Sequence, residues 1–176
     1  MVERAGLRIG VIGIAATIVD KTMPASFSEG LRFTLGNEEL PGYIRHLREE
    51  ERVDLVVLIS HLGFPQDMEL AREVGSAGGS RGIDVLLSGH THNRIHPPAR
   101  VNDTVVIQSG CHGSFLGRLD LEVEGGRIVD VRHRLITVGA GSDQDPEVEA
   151  MVEKTLAPHR WALAEVVGYT DTDLDR

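Results

Sequence analysis

The apolar positions of this chain recur with two different periods, and their alternation predicts the fold class. Six runs read as strands: Leu7 to Ala16, Asp54 to Ser60, Ile83 to Ser88, Thr104 to Ser109, Gly117 to Val123 and Arg127 to Val138. The second and third are continuously apolar and rich in β-branched residues, the pattern of strands buried on both faces. The last two are separated only by Glu124-Gly125-Gly126, which predicts a hairpin and therefore a mixed sheet. Between the first two strands, Leu40, Tyr43, Ile44 and Leu47 recur at i, i+3, i+4 and i+7, which predicts a helix with one stripe facing the sheet. Asn37 reads as its N-cap. Asp67, Leu70, Ala71 and Val74 mark a second helix. A third carries Val148, Met151, Val152 and Leu156, opens on Asp145-Pro146 and is ended or kinked by Pro158. Strand and helix alternate, so the class is α/β. The Gly/Ser-rich run 75 to 82 reads as a flexible connector.

Composition narrows the function classes. With 176 residues and 41% hydrophobic content the chain suits one average domain with a core. A net charge of −9 without a Lys/Arg cluster argues against a nucleic-acid polymer as partner, because such surfaces must neutralise phosphates. An acidic chain that takes an anionic substrate needs a cation. Cys111 is the sole cysteine, so there is neither an internal disulfide nor a CxxC pair. The segment Met1 to Gly6 lacks the apolar stretch of a signal peptide, and no run approaches the roughly 20 apolar residues of a membrane span. A soluble chain is expected, and the compartment is not indicated.

The candidate chemistry lies in the histidines. Asp84-Val85-Leu86-Leu87-Ser88-Gly89-His90-Thr91-His92-Asn93 runs from an apolar strand into a Gly-His-x-His turn. Two imidazoles one residue apart, just past a buried strand end, can each offer a nitrogen to a different metal ion about 3.5–4 Å from its neighbour. Val56-Val57-Leu58-Ile59-Ser60-His61-Leu62-Gly63 repeats that logic, at the strand ends where α/β sheets build their sites. Alone, His61 reads equally as a ligand or as a histidine satisfied at a strand terminus. Together, His61, His90 and His92 read as metal ligands. His112, in Gln108-Ser109-Gly110-Cys111-His112-Gly113, occupies another post-strand loop and is a candidate for the same cleft, with a catalytic or substrate-binding role; Asn93 is a second candidate for substrate. His96 reads as a loop residue or an outer neighbour of the site. His46, His133 and His159 read as solvated.

The ordered set of His61-Leu62-Gly63, Gly82-Ile83-Asp84, Gly89-His90-Thr91-His92, Thr104 to Gly110 and Gly117-Arg118-Leu119-Asp120-Leu121 resembles the calcineurin-like metallophosphoesterases. Within them it is most similar to the bacterial 5'-nucleotidase branch, over roughly residues 6 to 140. Glu165 to Thr170 resembles the start of that branch's C-terminal substrate domain. Ile95-His96-Pro97-Pro98 and Gly113-Ser114-Phe115-Leu116-Gly117 are also similar to the thiosulfohydrolase of bacterial sulfur oxidation.

The resemblance implies a four-layer αββα sandwich and two divalent ions, manganese, zinc or iron. His61 and His90 would hold one ion and His92 the other. It further implies hydrolysis of a phosphate ester or nucleotide, in a family that is largely periplasmic or cell-surface. The family's Asp-x-His, Gly-Asp and Gly-Asn-His motifs have no counterpart here; Gly36-Asn37-Glu38-Glu39 imitates the last only on paper. Residues 1–140 are therefore expected to be the C-terminal half of a catalytic domain, and 141–176 a helical linker towards the substrate domain. Three outcomes stay open. The chain could be part of a phosphoesterase completed by the missing N-terminal half, a noncatalytic metal- or ligand-binding domain, or a homodimer that covers its own exposed sheet.

Overall fold

The computed structural model describes residues 1–76, 81–139 and 141–173. They form two compact units, Met1–Val138 and Gly139–Arg176. The first is built on a six-stranded mixed sheet in the order β1-β2-β3-β4-β6-β5, with β1 Val2–Arg4, β2 Leu7–Ile14, β3 Leu55–Ser60, β4 Val85–Ser88, β5 Ala99–Val101 and β6 Thr104–Ile107. The four central strands, β2, β3, β4 and β6, are parallel, and the edges β1 and β5 are antiparallel. The sheet is thus mixed because of its edges. The hairpin β7 Phe115–Glu124 and β8 Arg127–Thr137 forms a separate two-stranded sheet. Its Gly125 and Gly126, at φ 55° and 73°, both lie in the left-handed region that a two-residue type I′ turn requires.

Helices α2 Leu40–Glu49 and α3 Phe64–Ser76 cover one face of the large sheet. Leu40, Ile44, Leu70, Ala71 and Val74 join Val56, Leu58, Leu86 and Val106 in one buried cluster. Alternate residues of β3 therefore point into a helix–sheet core, as a period of two demands. A Cβ on Gly10 would lie 2.8 Å from Leu47 Cδ1, so glycine is what lets α2 come this close to β2. A short helix α1, Val19–Thr22, precedes α2.

Three details differ from expectation. Tyr43 is 60% exposed, because the buried Leu40 and Ile44, with the half-buried Leu47, already fill the narrow stripe of α2. Asn37 does not cap that helix: the N-cap is Glu39, and the carbonyl of Gly36 accepts from the Leu40 N–H at 2.8 Å, so backbone takes the place of a side-chain cap. Strand β3 is not buried on both faces; Ile59 is 50% exposed, as is Val11 on β2 at 41%, since the helices cover only the opposite face here. Of the Gly/Ser connector, residues 77–80 lie outside the described residues.

The second unit contains α4 Pro146–Leu156, a 3₁₀ turn Ala157–His159 and α5 Arg160–Leu163. The Asp145 side chain accepts from the N–H groups of Glu147 and Val148, as its position before Pro146 predicts. Pro158 falls where the regular helix stops. The apolar stripe of α4 is exposed throughout.

Candidate metal centre

The parallel strands β3, β4 and β6 end side by side, and each releases a loop that carries a candidate residue. Ser60 pairs with Ser88, and Leu87 with Ile107. His61 therefore follows β3 directly, His90 lies two residues past β4, and the Gly-Cys-His-Gly turn follows β6. The rings of His61 and His90 stand edge to face with centroids 5.0 Å apart. The rings of His92 and His112 do likewise at 5.5 Å. All four are exposed.

The loops are held in an unusual conformation. His90, His92 and His112 have φ of 72°, 58° and 55°, the left-handed region that costs a non-glycine residue roughly 1–2 kcal/mol. Polar side chains, first among them the buried Gln108, hold the turn that carries His90 and His92. Gln108 donates through Nε2 to Ser88 Oγ at 3.0 Å and to the Gly89 carbonyl at 2.6 Å. Its Oε1 accepts from the Asn93 N–H and from Thr91 Oγ1. Thr91 Oγ1 in turn accepts from the Phe64 N–H at 2.9 Å, tying the turn to the start of α3. The Asn93 carbonyl accepts from the Gly110 N–H at 2.9 Å, joining the loop after β4 to the loop after β6. Gly110, at φ 71°, cannot be replaced, because a Cβ there would meet the Phe115 ring at 2.9 Å.

Beneath the turn, the fully buried Asp67 accepts from Ser60 Oγ and Ser88 Oγ, both at 2.5 Å, and so bridges the ends of β3 and β4. Burial raises its carboxyl above the ordinary aspartate value of 3.8, and the two serine hydrogen bonds and the nearby His61 oppose that rise only in part. The native state thus holds the proton more tightly than the unfolded chain does. This contribution to stability is complete below 3.8 and is lost as the pH climbs through the raised native value. Urea midpoints measured from the carboxylate range to neutrality should show that decline, and Asp67→Asn should flatten it; an unchanged slope would show that Asp67 does not titrate differently on folding.

The structure pairs His61 with His90 and places His92 in a different group. Among the described residues, one cluster of three potential ligands is found: His92, Cys111 and His112, whose ligand atoms all lie within 4.8 Å of one another. Cys111 carried no site expectation, although it sits beside His112 at the end of an apolar strand. His133 is not solvated as expected; its Nδ1 lies 3.2 Å from Nδ1 of His96, and its Nε2 is buried without a hydrogen-bond partner. Burial lowers its pKa first, and the neighbouring His96 adds to that. The hairpin strand β8 presents that face inward, which an alternating strand pattern did not distinguish. His46 remains at the surface beside Glu50 and Glu51.

The donors gathered at the strand ends are imidazoles and one thiol. No carboxylate among the described residues completes a group of three with His61 and His90. This set fits the histidine side of a two-ion centre and not a bridging position, which requires a carboxylate or an equivalent anion.

No protein-family model matches the chain. It is 27% identical over 176 residues to the trifunctional nucleotide phosphoesterase YfkN of Bacillus subtilis, covering 97% of this chain and 12% of that protein. It is 33% identical to an apyrase of Tabanus yao, covering 89% of this chain and 30% of the other. Among solved structures, the sulfate thiohydrolase SoxB of Thermus thermophilus superposes with a TM-score of 0.77 at 36% identity, over 86% of this chain and 27% of SoxB. The chain therefore spans about a third or less of the length of each of these proteins. With its α/β mixed sheet, its strand-end histidines and these relatives, the chain is similar to the 5'-nucleotidases and to SoxB, consistent with a C-terminal part of the 5'-nucleotidase branch of the metallophosphoesterases.

Proposed function

We propose that this chain supplies the histidine side of a phosphoesterase metal centre, His61 and His90 for one divalent ion and His92 for a second. Carboxylate ligands would come from another segment of polypeptide. The observation that carries this reading is the convergence of His61 and His90 at the carboxyl ends of adjacent parallel strands, with ring centroids 5.0 Å apart. Bound ions would polarise the ester and provide a metal-activated water. The substrate class is a nucleotide or related phosphate ester. A cleft of about 400 Å³ beside His90, lined by Thr17, Lys21, Gln66 and Thr91 among others, offers one cation and several hydrogen-bonding groups to an anion. Residues 1–140 form the catalytic portion in this reading, and 141–176 lead towards a substrate domain.

The likeness to SoxB supports a second substrate reading, a thiosulfonate in place of the phosphate ester, at the same centre. Asn93 and His112 are the candidates for contact with either substrate.

Calorimetry with manganese and zinc at neutral pH tests the site. The paired substitution His61→Ala, His90→Ala should weaken binding of one ion at least tenfold, a change worth about 1.4 kcal/mol, while nucleotide hydrolysis by the chain alone stays negligible. Binding that is unchanged in the variant would overturn the assignment. The ligand imidazoles must be neutral, so affinity should also fall below about pH 6.

A further inference from the structure

We propose that His92, Cys111 and His112 together form a mononuclear binding site for a thiophilic divalent cation of the zinc and cobalt class. The inference rests on the reading above only in taking His92 as a ligand; it is otherwise independent of His61 and His90.

The three ligand atoms lie within 4.8 Å of one another. Zinc bonds of about 2.0–2.1 Å to nitrogen and about 2.3 Å to sulfur set ligand–ligand separations of roughly 3.3–3.8 Å in a tetrahedron. Small side-chain rotations close the difference. The two contributing loops are fixed relative to each other, because the Gly110 N–H donates to the Asn93 carbonyl, Arg94 forms a bridge with Ser109, and the Ile95 N–H donates to the Gln108 carbonyl. His92 and His112 are each held at positive φ, and the Ser114 N–H closes the Cys-His-Gly turn onto the Cys111 carbonyl at 3.0 Å. The site is thus preorganised by backbone.

The donor set selects the metal. Two imidazoles and a thiolate are soft enough to favour zinc or cobalt over magnesium, calcium or manganese, which prefer oxygen. Three protein ligands leave a fourth position for water or for a substrate atom, the arrangement of an open site. His112 is exposed, so that position faces solvent. Binding requires Cys111 as thiolate and therefore releases its proton. His112 becomes a metal ligand in this arrangement, and Asn93 keeps its place at the rim.

Cobalt titration of the intact chain tests the proposal. Because Cys111 is the sole cysteine, a thiolate-to-cobalt charge-transfer band in the near ultraviolet can arise only there. We expect that band, together with intense visible bands of a four-coordinate ion. Cys111→Ser should abolish the charge-transfer band, His112→Ala should weaken cobalt binding at least tenfold, and His61→Ala, His90→Ala should leave the band unchanged. A cobalt complex of the unaltered chain without charge transfer would overturn the proposal, and so would loss of the band in the His61, His90 variant. Zinc protection of Cys111 from alkylation in the unaltered chain needs no variant to fold. Alkylation at the same rate with and without zinc would likewise overturn it. Charge transfer that persists while the calorimetric assay shows no role for His61 and His90 would leave this site standing and remove only the phosphoesterase centre.

Discussion

Asp84→Ala is expected to lower the unfolding free energy by about 3–5 kcal/mol, the range for breaking a buried ion pair from one side. Asp84 sits at the amino end of β4, away from the histidines, and is largely buried. Its Oδ2 accepts from the Val56 N–H at 2.6 Å and from Arg48, and its Oδ1 from Arg81 at 2.5 Å. Arg48 also donates to the carbonyls of Asp54 and Gly82, at 2.8 and 3.1 Å. One carboxylate therefore joins α2, β3 and β4. Removing it leaves the half-buried Arg48 guanidinium without its counter-charge and orphans a strand N–H, which together exceed any gain from a smaller side chain. The double substitution Asp84→Ala, Arg48→Met should cost less than the sum of the two single losses, because it removes the stranded charge. Far-UV circular dichroism in urea is the appropriate readout, since the single Trp161 lies in the other compact unit. A loss under about 1 kcal/mol would show that the pair is not a structural link.

The sequence made the core strands and the first cluster of histidines readable because both are signalled locally. Leu55 to Ser60 and Val85 to Ser88 are apolar runs that no helix period fits, and each is followed within two residues by its histidine. The edge strands Val2–Arg4 and Ala99–Val101 were not readable; three residues are too few to express a period of two, and pairing with a neighbour defines them. Grouping was harder still. His92 stands two residues from His90, yet it meets His112, because the loops after β4 and β6 converge only once those strands are adjacent in a parallel sheet. One local signal was present. Gln108 ends the apolar run Thr104-Val105-Val106-Ile107, and an amide in that position needs buried partners. Asp67 is the counterpart on α3, a carboxylate within an apolar helical stripe that was read by its spacing and not by its charge.

Gln108→Leu should then have the largest effect on the metal site of any substitution that touches no ligand. The side chain is 2% exposed, and its two amide atoms contact Ser88, Gly89, Thr91 and Asn93, the residues that bracket His90 and His92. Leucine has similar volume but leaves the Asn93 N–H without its partner and the Gly89 carbonyl with only the Thr91 N–H at 2.9 Å, at about 1–3 kcal/mol for a group that water cannot reach. The strain held at His90 and His92 then loses its buried side-chain support, and only the Thr91 and Asn93 links to Phe64 and Gly110 remain, so the turn should relax towards negative φ and draw the imidazoles out of position. Metal affinity should fall about 10–100-fold, the range typical of losing an outer support of a ligand, with stoichiometry unchanged. Gln108→Glu separates the two halves of the amide. A carboxylate still accepts from Asn93 and Thr91 but faces the Gly89 carbonyl without a proton to donate, so its affinity should lie between that of leucine and glutamine at neutral pH and approach glutamine as the carboxyl protonates. Equal affinity in all three proteins would show that the turn keeps its shape without Gln108, and that the strained backbone is set by the parallel strands alone.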